Sequence, residues 1–129
     1  MLFNDRVVRR YQDLVCWQLA DELKRSVYKL LNDSPSAKRD FDFAKQLRRA
    51  VSSGPANISE AFAYYRHKES AKFARVAKGS LTETHNHLGD GIDRGHWTAE
   101  RCKASRQLAD RAIGATTEWL KYLTSSEEP

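Results

Sequence analysis

The stretch CWQLADELKRSVYKLL, residues 16–31, decides the fold class of this chain. Its apolar side chains recur at intervals of three and four residues, which places them on one face of an α-helix. The pattern predicts a first helix over about residues 8–32. Its buried face is predicted to consist of Cys16, Leu19, Ala20, Leu23, Val27, Leu30 and Leu31.

Three further stretches repeat this spacing, over about residues 41–65, 68–92 and 98–123. Pro55 lies inside the second stretch, but the apolar phase continues past it, so we expect a kink near residues 52–55 and not a break. A polar tail follows at residues 124–129. No strand-like alternation of useful length is visible. The sequence therefore predicts an all-α, antiparallel up-down-up-down four-helix bundle that forms a single domain over residues 1–129.

Length and composition restrict the class of protein further. A chain of 129 residues with 40% hydrophobic and 30% charged residues is typical of one globular domain. It contains no apolar run of transmembrane length and no signal-peptide core, so we expect neither a membrane segment nor secretion. Cys16 and Cys102 are too few and too isolated for a disulfide framework or a zinc ribbon. We therefore predict that both cysteines are reduced and that the protein is cytoplasmic.

Polar residues on the second and third helices form a stripe beside the apolar one. Antiparallel pairing across the short turn near His67 places Arg49 close to Glu83 and Pro55 opposite Gly79. We therefore expect a partly buried Arg49–Glu83 ion pair and close helix contact at Gly79. The stripe is interpreted as a network that fixes helix register, with an active site as the alternative. Its members are Gln46, Arg49, Ser53, Asn57 and Glu60 on the second helix and Gly79, Ser80, Glu83 and His87 on the third.

The histidines give little support to a metal site or to catalysis. His85 and His87 are two residues apart, so on a helix their side chains point in nearly opposite directions. Two histidines at i and i+4, the helical zinc pattern, do not occur. A glycine-rich phosphate loop and a nucleophile elbow are also missing from the sequence. We predict a protein that is not an enzyme and has no catalytic residues, no metal and no cofactor.

Charge is the strongest functional signal. Lys and Arg total 22 against 17 Asp and Glu, which gives a net charge of +5. Cations on the third helix recur at spacings of 4, 3 and 3, with tyrosines just before them, and a second basic cluster opens the second helix. Cations beside aromatic rings suit phosphate contact and base stacking; an ordinary solvated helix face is the alternative. The predicted nucleic-acid-binding residues are Arg48, Tyr64, Tyr65, Arg66, Lys68, Lys72, Arg75 and Lys78.

Three motifs carry a family resemblance over about residues 14–123. They are LVCWQLA at residues 14–20, QLRRA at 46–50 continuing to PANISE at 55–60, and AKGSLTE at 77–83. In this order and spacing they resemble the four-helix-bundle proteins encoded in 23S rRNA intervening sequences. The chain departs from the family after Glu60, where Ala61 stands in place of the usual Gly and the following turn is more aromatic.

The resemblance implies a small cytoplasmic bundle that assembles into a homo-oligomer, a ring-shaped pentamer. A related branch, the accessory variability determinants of diversity-generating retroelements, implies a nucleic-acid-binding partner of a reverse transcriptase. A small bundle has only one core, so some of the aromatic residues outside the apolar stripes are expected to cover a subunit contact. These residues are Trp17, Tyr28, Tyr64, Trp97 and Trp119.

Together these features predict a non-catalytic homo-oligomeric protein that engages RNA, DNA or a nucleoprotein partner, such as a reverse-transcriptase-like protein, through basic helix faces. The alternative is a purely structural or protein–protein interaction module with no nucleic-acid binding.

Overall fold

The computed structural model describes residues 1–125, and its long helices have nearly the predicted bounds. The chain begins with two short antiparallel strands and a 3₁₀ turn and continues with five helices. These elements are β1 (Leu2–Phe3), β2 (Arg6–Val7), the 3₁₀ turn Tyr11–Asp13, α1 (Val15–Asn32), α2 (Pro35–Arg39), α3 (Phe41–Ala63), α4 (His67–Asp93) and α5 (Ala99–Ser125). The all-α four-helix bundle is confirmed. Of the predicted polar tail, residues 124 and 125 extend α5, and residues 126–129 lie outside the described part of the chain.

Each long helix packs against two neighbours, α1 and α4 each contacting both α3 and α5. The chain direction alternates around this closed arrangement, as the short connections require. The apolar residues predicted for the first helix all face the core, and none is more than 8% exposed. The spacing of apolar residues therefore predicted the buried face of α1 correctly.

The first helix begins later than predicted, because residues 8–14 are not α-helical and contain only the 3₁₀ turn. Asn4 and Asp5 adopt positive φ angles of 52° and 60°, which these residue types tolerate, and they form the turn between β1 and β2. The Asp13 carboxylate then accepts hydrogen bonds from the backbone N–H groups of Arg9 and Arg10, at 3.1 and 3.3 Å. This local bonding competes with helix formation.

A proline and a glycine shape the contact between α3 and α4. Pro55 lies within an uninterrupted helix, where it leaves the Val51 carbonyl without its usual donor, the physical cause of the predicted kink. Close approach occurs at Gly54, where an added Cβ would lie 3.0 Å from the Leu81 side chain. The expectation of close contact at Gly79 is wrong, since no heavy atom lies within 4 Å of a Cβ built there.

The connections meet at the two ends of the bundle. We call residues 32–41 and 93–99 the closed end, and residues 1–14, 63–67 and 119–125 the open end. At the closed end, His96 Nε2 lies 2.8 Å from Asp40 Oδ2, and its Nδ1 lies 2.9 Å from Ser36 Oγ. Arg94 donates to the same Asp40 oxygen at 2.9 Å. The hydrogen bond with His96, with help from Arg94, lowers the pKa of Asp40 below its usual range.

Trp97 completes the closed end by packing onto the last turns of α4. Its indole N–H donates to the Leu88 carbonyl at 2.9 Å, and its ring lies 5.7 Å from that of Phe43, centroid to centroid. An added Cβ on Gly91 would lie 2.3 Å from the Trp97 ring. Glycine at this position is therefore required for Trp97 to lie against α4.

Candidate nucleic-acid interface

Three predicted cations share the exposed face of α4. Lys68, Lys72 and Arg75 are all exposed, and at helical periodicity they fall within an arc of about 60°. Lys78 lies further round the helix and is half-buried. We call these four residues the α4 basic face.

The charges of the α4 basic face are not neutralised within the protein. The ion pairs of residues 1–125 involve none of its four cations, nor the neighbouring Arg66. Elsewhere, cations such as Arg94 and Arg101 are paired with carboxylates. The α4 basic face can therefore bind an external anion without first breaking an ion pair.

The N-terminus of α4 adds to the positive potential at this end. Arg66 is its N-cap residue, and no side chain caps the helix. The backbone N–H groups of His67 and Lys68 have no acceptor among residues 1–125. Free N–H groups and the helix dipole both favour an anion at such a position.

Arg48 does not belong to this surface. The Arg49–Glu83 contact fixes the antiparallel register, so Arg48 lies level with about residue 84 of α4. At a helical rise of about 1.5 Å per residue, that is about 24 Å along the axis from Lys68. The structure therefore brings the other predicted cations to one region and leaves Arg48 at a distance.

The two predicted tyrosines have different environments. The Tyr64 ring stacks on Phe73, with centroids 5.1 Å apart and ring planes inclined by 10°. Tyr65 is 80% exposed and stacks on no aromatic ring among residues 1–125. Tyr65 is thus available to a ligand, whereas Tyr64 contributes to packing.

The predicted polar network is present but divided into two clusters. In the first, Arg49 donates to Glu83 at 2.7 Å and to Gln46 at 3.0 Å. The expected partial burial is wrong for Arg49, whose side chain is 60% exposed, while Glu83 is 36% exposed. Such a pair contributes little to stability, because water screens it.

The second cluster joins α3 to α4 through two serine hydroxyls. Ser53 Oγ and Ser80 Oγ lie 2.8 Å apart, and Asn57 donates to Ser53 Oγ at 2.9 Å. Glu60 is exposed and makes no hydrogen bond or ion pair within the described residues. Ser53 and His87, which helical spacing placed on the polar stripe, also belong to the two clusters. His87 Nε2 is 3.2 Å from Glu83 Oε2.

Other chemistry is sparse in the described residues. No three His, Cys, Asp or Glu side chains of residues 1–125 lie close enough together to hold a metal ion. Cys16 and Cys102 are free and buried, and burial raises the pKa of the Cys16 thiol to about 12, which leaves it protonated and unreactive. Within the same range, no helix is both long and apolar enough to cross a membrane.

These features define a small four-helix-bundle protein with an unneutralised basic surface near one end. The profile of the 23S rRNA-intervening sequence protein family matches residues 12–117, and the chain belongs to this family. The matched region runs from before α1 into α5 and contains all three motifs that carried the resemblance. A search of curated proteins finds no significant match.

Proposed function

We propose that this protein is a non-catalytic homo-oligomer that binds RNA or DNA through the α4 basic face. The observation that carries the proposal is a helical row of exposed cations with no acidic partner among residues 1–125. Phosphate contacts by Lys and Arg supply affinity without reading sequence. Binding is therefore expected to be weakly selective for sequence and to fall steeply as salt rises.

The salt dependence has a calculable size. If all four cations of the α4 basic face contact phosphates, log K falls against log salt with a slope of about −3 to −4 for duplex DNA and about −3 for single strands. A ring of several copies presents several such faces, so avidity raises the apparent affinity further.

The oligomeric state and the partners of the protein are part of the same proposal. A ring-shaped pentamer is supported by the family resemblance, as is a nucleoprotein or reverse-transcriptase-like partner. Fewer aromatic side chains than expected are available for a subunit contact, because Trp97 and Trp119 are buried in the chain's own core at 7% and 1% exposure. Tyr28, at 40% exposure, remains a candidate for a subunit contact, and Phe41, which was not predicted, is a further one at 79% exposure. Light scattering after size exclusion tests this, and a monomer mass at micromolar concentration would contradict it.

A cytoplasmic location is also proposed. Its support is the pair of free cysteines, Cys16 and Cys102, which is usual for a reducing compartment.

The direct test is nucleic-acid binding by the purified protein. We expect the ratio of absorbance at 260 and 280 nm to fall after a high-salt wash, and a labelled oligonucleotide to rebind with the salt slope given above. The competing function, a structural or protein-binding module, predicts no measurable binding even at low salt. Under that outcome the α4 basic face is only a solvated surface.

A further inference from the structure

A cavity of about 500 Å³ lies at the open end, beside the start of the α4 basic face. We infer that this cavity accepts one unstacked base of a single-stranded nucleic acid, an inference that rests on the function proposed above. Met1, Ala63, Ser70 and Leu123 contribute to its wall. The wall is otherwise aromatic: Phe62, Tyr64, Tyr65, His67, Trp119 and Tyr122.

The size and lining of the cavity fit a planar aromatic ligand. Small-molecule pockets typically occupy about 300–1,000 Å³ and are lined by apolar and aromatic groups with a few polar ones. Aromatic side chains stack on bases of any sequence, because every base has a π-face. The exposed ring of Tyr65 lies at the wall and can contact the same base or its neighbour.

The position of the cavity also favours the phosphate that is attached to the base. His67 lines the wall and is also the first residue of α4, whose free N–H groups and uncapped N-terminus favour an anion. Arg66 and Lys68 flank it and are exposed. A strand whose base enters the cavity therefore continues directly onto Lys72 and Arg75.

Two nitrogen atoms of the lining residues have no hydrogen-bond partner. His67 Nδ1 and Trp119 Nε1 are buried and make no hydrogen bond within residues 1–125. Unpaired buried nitrogen atoms are rare in folded proteins. The edge of a base carries both donors and acceptors. It can pair with His67 Nδ1 once the half-buried His67 ring turns towards the cavity, whereas Trp119 is only 1% exposed and contributes its ring to the wall.

The main consequence is that single-stranded nucleic acid should bind more tightly than a duplex. In a duplex the bases are stacked and paired, so none is free to enter the cavity, whereas a single strand can turn a base outward at low cost. Duplex DNA then contacts only the α4 basic face. A single strand contacts both the face and the cavity and binds more tightly.

The test fills the cavity mouth without removing a charge. Ala63 is exposed at the end of α3 and lines the cavity, so Ala63→Trp adds bulk there. Ala56 lies two turns earlier on the same face of α3, is also exposed and does not line the cavity, so Ala56→Trp is the matched control. The probes are a fluorescein-labelled oligo-dA of about 12 nucleotides, within the range of single-strand site sizes, and the same strand paired with oligo-dT.

We expect Ala63→Trp to weaken single-strand binding by about 5- to 100-fold, the loss of one stacked base. Duplex affinity and both salt slopes should stay unchanged, and Ala56→Trp should behave as the wild type. Unchanged single-strand binding by Ala63→Trp, or an equal loss for the duplex, would overturn the inference while leaving the proposed function intact. If the wild type shows no salt-dependent binding to either probe, the proposed function fails first.

A free nucleotide carries the same base and phosphate groups as a nucleic-acid strand. Competition with AMP distinguishes these two ligands of the cavity. Because AMP cannot reach the rest of the α4 basic face, we expect it to displace oligo-dA only at concentrations far above that of the oligonucleotide. Displacement at equal concentration would assign the cavity to a free nucleotide and overturn the polymer assignment.

Discussion

The closed end and the open end of the bundle differ in how fully their polar groups are paired. At the closed end, Arg94 and His96 both hydrogen-bond to Asp40, and the Trp97 N–H has an acceptor. At the open end, His67 Nδ1 and Trp119 Nε1 have no partner among residues 1–125. The cations that begin α4 have no ion pair within that range, and neither do Lys38 and Arg39 at the closed end.

This contrast separates the regions that stabilise the fold from those available for binding. Paired polar groups and packed rings contribute stability and leave little for a ligand to satisfy. Unpaired cations and free N–H groups contribute little to folding but retain their capacity for an external anion. Substitutions of the paired or packed side chains should therefore change stability, and those of the unpaired, exposed side chains should change binding or have little effect.

The largest effect on stability is expected at Gly91. Ala at this position would place a Cβ 2.3 Å from the Trp97 ring, so the ring must move and lose its contacts. Gly91→Ala should lower the free energy of unfolding by about 1–3 kcal/mol, measured by urea denaturation. Gly79→Ala is the matched control, because Gly79 is exposed on the same helix with open space around it. It should stabilise the protein by about 0.5–1 kcal/mol. Equal effects of the two substitutions would contradict the packing argument.

Substitutions of the two tyrosines at the open end should have different effects, one on binding and the other on stability. Tyr65→Ala should weaken single-strand binding by about 1–3 kcal/mol with an unchanged salt slope and unchanged melting temperature. Tyr64→Ala should lower the melting temperature, because it removes the ring stacked on Phe73. Fluorescence anisotropy and thermal melting measure the two properties. A loss of stability in the Tyr65 variant would show that its ring is packed in solution.

Asp40→Asn tests the charged part of the closed end. The pKa of Asp40 is lowered in the folded protein, chiefly by its hydrogen bond with His96. Its carboxylate therefore stabilises the fold above the unfolded pKa of about 3.9, and this contribution disappears as the pH falls towards the folded value. The variant should melt below the wild type at pH 7, and the difference should shrink below about pH 4. A difference that is constant with pH would exclude an electrostatic cause.

The smallest effect is expected for the interaction between Arg49 and Glu83. Their 2.7 Å contact is substantially exposed, so a double-mutant cycle with Ala should give about 0–1 kcal/mol. A coupling of several kcal/mol would show that the pair is shielded from water, for example by a neighbouring subunit.

The helical period predicted most of the fold, because the apolar stripe of α1 depends only on sequence spacing. The same reasoning placed Arg49 beside Glu83 from the antiparallel register, although it could not give their exposure. It failed at residues 8–14, since Val8 and Leu14 are buried without being helical. The dipeptide Asn4–Asp5 was the available signal for a tight turn.

Long-range packing explains what the sequence could not predict at the two ends. Gly91 lies near the end of α4, and the requirement for glycine there is visible only once Trp97 lies against it. The cavity at the open end combines Met1, the α3–α4 turn and α5, which are far apart in the chain. The row of cations on α4 was predictable because it follows one helix, whereas the distance of Arg48 from it depends on tertiary structure.

The most direct test of the account compares the same charge change on the α4 basic face and at the closed end. Lys72→Gln/Arg75→Gln removes two cations from the α4 basic face, and Lys38→Gln/Arg39→Gln removes two exposed cations from α2 at the closed end. The measurement is the salt dependence of oligo-dA binding. We predict that the first variant binds more weakly and that its slope changes from about −3 to about −1.5, while the second keeps the wild-type slope. The free energy of unfolding of both variants should stay within about 0.5 kcal/mol of the wild-type value. Equal losses in the two variants, or no binding by the wild type, would contradict the assignment of binding to the α4 basic face.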